Sequence, residues 1–287
     1  VERDLTLIGF GEAASTFATT AKWRGKARAY DIEPARHVAM QEALVEIAGD
    51  PRSALAGSRI VLSLITAGEA LAAARQYAPL IEDGAIWCDM NSVAPQTKSE
   101  AAQIIEQHGG RYVDVAVLAP VHPARMAVPL LVSGPCADEA CIELIARKFT
   151  NVRVVGHEVG RASAIKMVRS IMVKGVEALT DEMMAAASAA GVTEDVLASL
   201  DASEIAMPWS KRAAYNLERM QAHGTRRAAE MEESAKTLRS LGVEPVMTDG
   251  TVRRQRDAAL PKTDIENAAP PESPPLQIRL PANASRR

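Results

Sequence analysis

The sequence has no apolar run that could cross a bilayer: stretches such as "IVLSLI" fall far short of the ~18 to 20 residues a membrane helix needs. It also lacks a surplus of positive charge. With 33 Lys and Arg against 36 Asp and Glu, the formal net charge is −3, and there is no basic field to draw in nucleic acid. Cysteine is scarce. Cys88, Cys136 and Cys141 form no CxxC pair and have no histidine at zinc-ligand spacing, so they read as small buried thiols. His37, His108, His122, His157 and His223 stand singly, and no metal site is expected. No secretory leader is read near Val1, where a strand-like segment comes almost at once, and a cytoplasmic location is the expectation.

What is present is the makeup of a folded chain. Apolar residues are 47% and charged residues 24% of 287, enough for two domains of ordinary size. The first half alternates short β-like runs with helical patterns: strands at 5–9, 27–31, 60–65, 85–90, 111–117, 129–134 and 151–156, helices at 12–23 and 94–108. Most of these strands are apolar throughout, as happens when helices cover both faces of a parallel sheet. The order predicts an α/β fold, a doubly wound parallel sheet over 1–158. After Gly160 the texture changes. Residues 161–191 carry no proline and one internal glycine, enough for a helix of about 45 Å. Further helices are expected at 193–206, 208–222 and 225–241, the last closing at Gly242, so 159–250 reads as an all-helical domain. Past Thr248 the chain turns basic and then proline-rich, and 251–287 reads as a tail without a packed core.

The stretch "LTLIGFGEAAS" has the spacing G-x-G-x-x-G/A in Gly9, Gly11 and Ala14. A first glycine suits the sharp turn out of a strand, a second lets the backbone approach a pyrophosphate, and a small third residue packs the helix on the strand. Free N–H groups at the helix start favour the phosphate charge. About 20 residues past Gly9 the next strand ends in Asp31, where a carboxylate can bond both ribose hydroxyls and repel a 2′-phosphate. The turn from Gly9 through Phe10, Gly11, Glu12 and Ala13 to Ala14 is therefore assigned to a dinucleotide, with Asp31 on its ribose. NAD is the expected cofactor, with NADP kept open by Arg28 and Arg36. Two more strand ends, "SLIT" and "DMNS", should line the same crevice and supply Leu64, Ile65, Asn91 and Ser92.

On the long helix, Ser163, Lys166, Ser170, Lys174, Glu177 and Asp181 fall within a stripe roughly 80° wide. The rest of 161–181 is mostly apolar and is expected to be buried. Lys166 has no acidic residue three or four positions away, and Arg169 is its neighbour. A partly buried amine beside other positive charge has its pKa lowered, which makes it a candidate general acid/base.

These pieces in this order, with "DMNSVAPQT", "GGRYVDVAVLAP" and "GRASAIKMVRS", resemble the β-hydroxyacid dehydrogenases, a group related to 6-phosphogluconate dehydrogenase. The match covers about residues 5 to 190, and "HGTRRAAEMEESAKTLRSLGVEP" is similar to a less studied branch whose helical domain has no defined function. The resemblance implies an N-terminal Rossmann domain, an all-helical C-terminal domain and a homodimer formed through the helices. It implies that Ser92 lies near the nicotinamide and that Lys166 is the catalytic lysine, with Ser170 able to donate one hydrogen bond to a substrate oxygen. Two departures stand out. Where the family holds the substrate carboxylate with Ser-Gly-Gly, this chain has Leu118, Ala119 and Pro120; where it has two asparagines, this chain has Arg169 and Ser170. His122 could restore some polarity.

The expected function is an NAD(P)-dependent oxidoreductase interconverting an alcohol and a carbonyl on a small polar substrate, one that could bear a carboxylate. Three alternatives stay open: an imine reductase of the same architecture, a non-catalytic dinucleotide-binding or sensing protein, and a methyltransferase that uses the glycine turn for S-adenosylmethionine. The expected partners are a small-molecule substrate and a second copy of the chain, with no nucleic acid and no membrane.

Overall fold

The computed structural model describes residues 4–260. Its first part runs β1 (Leu5–Ile8), α1 (Glu12–Ala21), β2 (Ala27–Tyr30), α2 (His37–Glu42), β3 (Glu46–Ile47), α3 (Pro51–Leu55), β4 (Ile60–Ser63), α4 (Ala70–Tyr77), β5 (Ile86–Asp89) and α5 (Pro95–Gln107). It continues through β6 (Arg111–Val117), the short α6 (Val121–Ala124), β7 (Leu130–Ser133), α7 (Ala137–Ala146) and β8 (Val152–Gly156). The eight strands make one sheet in the order β3-β2-β1-β4-β5-β6-β7-β8. This is the Rossmann order with two strands added, and the order reverses beside β1, where ligands of such sheets bind.

The strands from β1 to β6 are parallel, but β7 runs antiparallel to β6, and β8 is parallel to β7. The sheet is therefore mostly, not wholly, parallel. The reason lies in residues 118–129, where Pro120, Pro123 and Pro129 leave room for short turns only. A parallel return needs a longer crossover, usually a helix. The edge strand β3 has two residues, too few to leave a periodic signature. Side chains alternate across the sheet. Leu5, Leu7, Ile86, Cys88, Val113 and Val115 enter one core with Phe17 and Phe149, while Ile8, Val61, Trp87 and Tyr112 enter the other with Ala101 and Ile105.

Four helices follow: α8 (Arg161–Ala190), α9 (Thr193–Ser203), α10 (Trp209–Ser240) and α11 (Val246–Ala259). Two expectations are corrected here. The helices foreseen at 208–222 and 225–241 are one, α10, which runs straight through Gly224. That glycine is used for close packing, since a Cβ on it would lie 2.2 Å from the Gln255 carbonyl oxygen of α11. Residues 251–259, expected in a tail, belong to α11: Thr248, Val252 and Gln255 are buried at helical spacing while the arginines between them face outward. The remainder of that segment, 261–287, lies outside the described residues. The described residues divide into two compact units, one ending at Gly175 and one beginning at Val176, both of which include part of α8. The middle of α8 is not buried within the chain. Val168 and Ile171 are 67% and 75% exposed. Among the described residues no helix is long and apolar enough to cross a membrane, and no group of metal-ligating side chains is present.

Candidate active site

Gly9 takes the chain out of β1 at φ +87°, a region that disfavours side chains, and its N–H donates to the Tyr30 carbonyl at 2.9 Å. A Cβ there would come within 2.5 Å of the Leu64 carbonyl oxygen and 2.7 Å of Ile65 Cγ2. Gly11 caps α1, and a Cβ built on it would meet nothing within 4 Å, so open space lies over the turn. The first N–H groups of α1 have no partner inside the helix. Ala14 is fully buried, packing the helix on the sheet. Phe10 is buried too. At the end of β2, Asp31 accepts the Phe10 N–H on Oδ2 at 2.6 Å and the Glu33 N–H on Oδ1 at 2.9 Å. A cleft of about 470 Å3 joins Gly9, Gly11, Asp31, Arg36, Leu64 and Ile65. A glycine turn with room over it, free helix N–H groups and a fixed carboxylate fit a dinucleotide.

A second recess, about 410 Å3, shares Leu64 and Ile65 with the first and is walled by Glu12, Ala13, Asn91, Ser92, Ala119, Pro120 and Lys166. Asn91 ties the strand ends together: Oδ1 accepts the Ile65 N–H at 2.7 Å, and Nδ2 donates to Ser63 Oγ at 3.0 Å. Its own N–H donates to Asp89 Oδ1 at 2.9 Å. The Lys166 amine donates to Ser92 Oγ across the recess. Burial lowers its pKa below that of an ordinary lysine; the nearby charges of Lys98 and Lys174 add to this, and Asp114 opposes it. The recess thus holds an amine of lowered proton affinity beside a hydroxyl.

Other expected residues are placed elsewhere. Leu118 packs into a small cluster with Ala116, Leu131 and Ala162, and its carbonyl accepts from Arg169 Nη1 at 3.3 Å. Arg169 and Ser170 do not wall the recess. His122 is exposed and pairs through Nε2 with Thr16 Oγ1 at 3.1 Å. Sequence reasoning missed Lys98, Asp89 and Asp114, buried side by side behind the recess. The signal was there: an aspartate inside each of two apolar strands, and one lysine in the helix between them.

Residues 4–156 match the NAD binding domain of 6-phosphogluconate dehydrogenase, and residues 187–258 match a domain of unknown function, DUF1932. A conserved hypothetical protein of Sinorhizobium meliloti 1021 is 36% identical, covering 93% of this chain and 91% of its own, with a TM-score of 0.60. The conserved protein MTH1747, of unknown function and described as structurally similar to 3-hydroxyacid dehydrogenases, is 31% identical over 88% of this chain and 96% of its own, with a TM-score of 0.57. A variant imine reductase of Myxococcus stipitatus, solved with NAD+, shares the fold at 19% identity over 90% and 94% of the two chains, with a TM-score of 0.73. The Rossmann order, the glycine turn and these matches agree: the chain belongs to the family of the NAD binding domain of 6-phosphogluconate dehydrogenase, with a DUF1932 helical domain following it.

Proposed function

We propose that the protein is an NAD(P)-dependent oxidoreductase that interconverts an alcohol and a carbonyl on a small polar substrate, with Lys166 as the general acid/base. One observation carries this reading: a half-buried amine with lowered proton affinity, aimed at Ser92 in a recess adjoining the glycine turn. When bound, the dinucleotide supplies or accepts hydride. Lys166 takes the hydroxyl proton in oxidation and returns it in reduction, and Ser92 orients the amine. Gly9, Gly11 and the start of α1 bind the pyrophosphate, and Asp31 holds the ribose, favouring NAD over NADP. Ala119 and Pro120 give the recess an apolar wall, so Lys166 and Ser92 are the groups that grip a substrate oxygen.

The apolar wall also favours a second reading, an imine reductase, in which Lys166 would give its proton to a nitrogen. The exposed apolar side chains of α8 support a homodimer through this helix, which sedimentation at micromolar concentration tests. The main experiment is NADH and NADPH turnover over a panel of hydroxyacids, aldehydes, ketones and cyclic imines, in wild type and Lys166→Ala, with titration of S-adenosylmethionine alongside. Loss of turnover with NADH binding retained is the expected result. Equal rates in the two proteins overturn the role of Lys166, and tight NADH binding with no turnover of any substrate favours a sensing protein.

A further inference from the structure

The strand register sets Ser63 against Asp89, Asp89 against Asp114, and Asp114 against Ser133. A polar row therefore crosses four buried strands on the face covered by α5. Two carboxylates directly opposite each other repel. Lys98 enters between them from α5, wholly buried, donating to the Asp89 carbonyl at 2.6 Å and Oδ1 at 2.9 Å, and lying 3.4 Å from Asp114 Oδ1. Tyr112 completes the shell by donating to Asp89 Oδ2 at 2.6 Å.

Asp114 also reaches the first turn of α8. It accepts the Ser163 N–H at 2.9 Å, Ser163 Oγ at 2.6 Å and Ser133 Oγ at 3.3 Å, while Ser133 Oγ accepts the Ala162 N–H at 2.9 Å. A carboxylate at a helix start satisfies N–H groups that have no partner within the helix and is favoured by the helix dipole. Ser163 lies three residues before Lys166, on the same side of α8. On the other arm, Asp89 accepts the Asn91 N–H and so fixes the loop that presents Ser92. Ser92 and Lys166 are thus mounted on two carboxylates that share one lysine.

A buried ion cluster of this kind adds little stability over apolar side chains of the same volume. We infer that Asp114, braced by Lys98, is a positioning residue that holds the first turn of α8, and through it the Lys166 amine, against the Ser92 loop. It acts on Lys166 by geometry and by charge. The charged groups around the amine are Lys98 from α5, Asp114 from β6, Lys174 and Arg169 on its own helix, and Glu12 in the same recess. Among them Asp114 is a negative charge that favours the protonated amine, against the two lysines. The inference rests on Lys166 being the working amine.

The test is the pH dependence of Lys166 acetylation by acetic anhydride in the full chain, read by peptide mass spectrometry. Asp114→Asn keeps an acceptor for Ser163 and removes the charge, so the labelling midpoint should fall. An Asp114 that was merely structural would loosen the helix, admit water and move the midpoint up toward an ordinary lysine. An unmoved or raised midpoint overturns the inference. If circular dichroism shows that Asp114→Asn does not fold, Ser163→Ala preserves every charge and drops one bond. Amide exchange over 162–166 should then quicken severalfold, and unchanged exchange overturns the inference. Undiminished turnover in Lys166→Ala would remove the acid/base reading while leaving these midpoints where they are.

Discussion

The Phe10 N–H donates to Asp31 Oδ2 at 2.6 Å, so the carboxylate at the end of β2 closes the glycine turn at the end of β1. One side chain shapes the glycine turn and lines the cleft beside it. Asp31→Ser should weaken NADH binding about tenfold, ~1.4 kcal/mol. NADPH binding should suffer less, because the charge that repels a 2′-phosphate is gone. Calorimetric titration of both nucleotides checks this, and an equal loss for both would place Asp31 in the loop alone.

Gly9→Ala should be more damaging. The residue sits at φ +87°, and the new methyl would meet the Leu64 carbonyl oxygen, part of a backbone that cannot swing away. A loss of about 2 kcal/mol or more is expected, together with loss of NADH binding, from positive-φ strain and the clash combined. Thermal melting with and without NADH separates the two effects.

Lys166 gives the pH dependence its sign. Burial and the charges of Lys98 and Lys174 hold its pKa below that of an ordinary lysine, so the neutral amine appears at lower pH. Alcohol oxidation, which needs the base, should rise through that lowered pKa and level off above it. Carbonyl reduction, which needs the acid, should fall over the same range. Rates in both directions across pH 6 to 10 check it, and limbs that move the same way would exclude one group serving both roles.

In the second unit, buried Glu182 caps the start of α11. Its carboxylate accepts the Met247 N–H at 2.6 Å, the Thr248 N–H at 2.9 Å and Thr248 Oγ1 at 2.6 Å. Burial pushes its pKa up, but these hydrogen bonds outweigh burial and hold it below the ordinary 4.5. The folded value is the lower one, so the stabilisation is full above about 4.5 and is lost as pH falls through the folded value. Glu182→Gln should cost about 1 to 3 kcal/mol at neutral pH. The gap in melting temperature between the two proteins should narrow below pH 4.5, and a constant gap would count against the ionised cap.

Much of the site was legible because its signals are local. Gly9, Gly11 and Asp31 obey spacings fixed by one strand, one turn and one helix, and Lys166 stood out by lacking a partner on its own helix. The Lys98 cluster was legible only in part. Asp89 and Asp114 are 25 positions apart, and their meeting depends on how β5 and β6 align, which no local rule fixes. Leu118 shows the same limit, since the turn after β6 decides whether its side chain enters the recess or the core.

Short-range periodicity therefore carried the fold class, the cofactor turn and the candidate base, because apolar spacing and glycine placement act within a few residues. The reversal of β7, the run of α10 through Gly224, the helix over 251–259 and the polar row behind Lys166 came from tertiary packing. They depend on strand register, close helix contact and burial of charge, energies that exist only between segments distant in the chain.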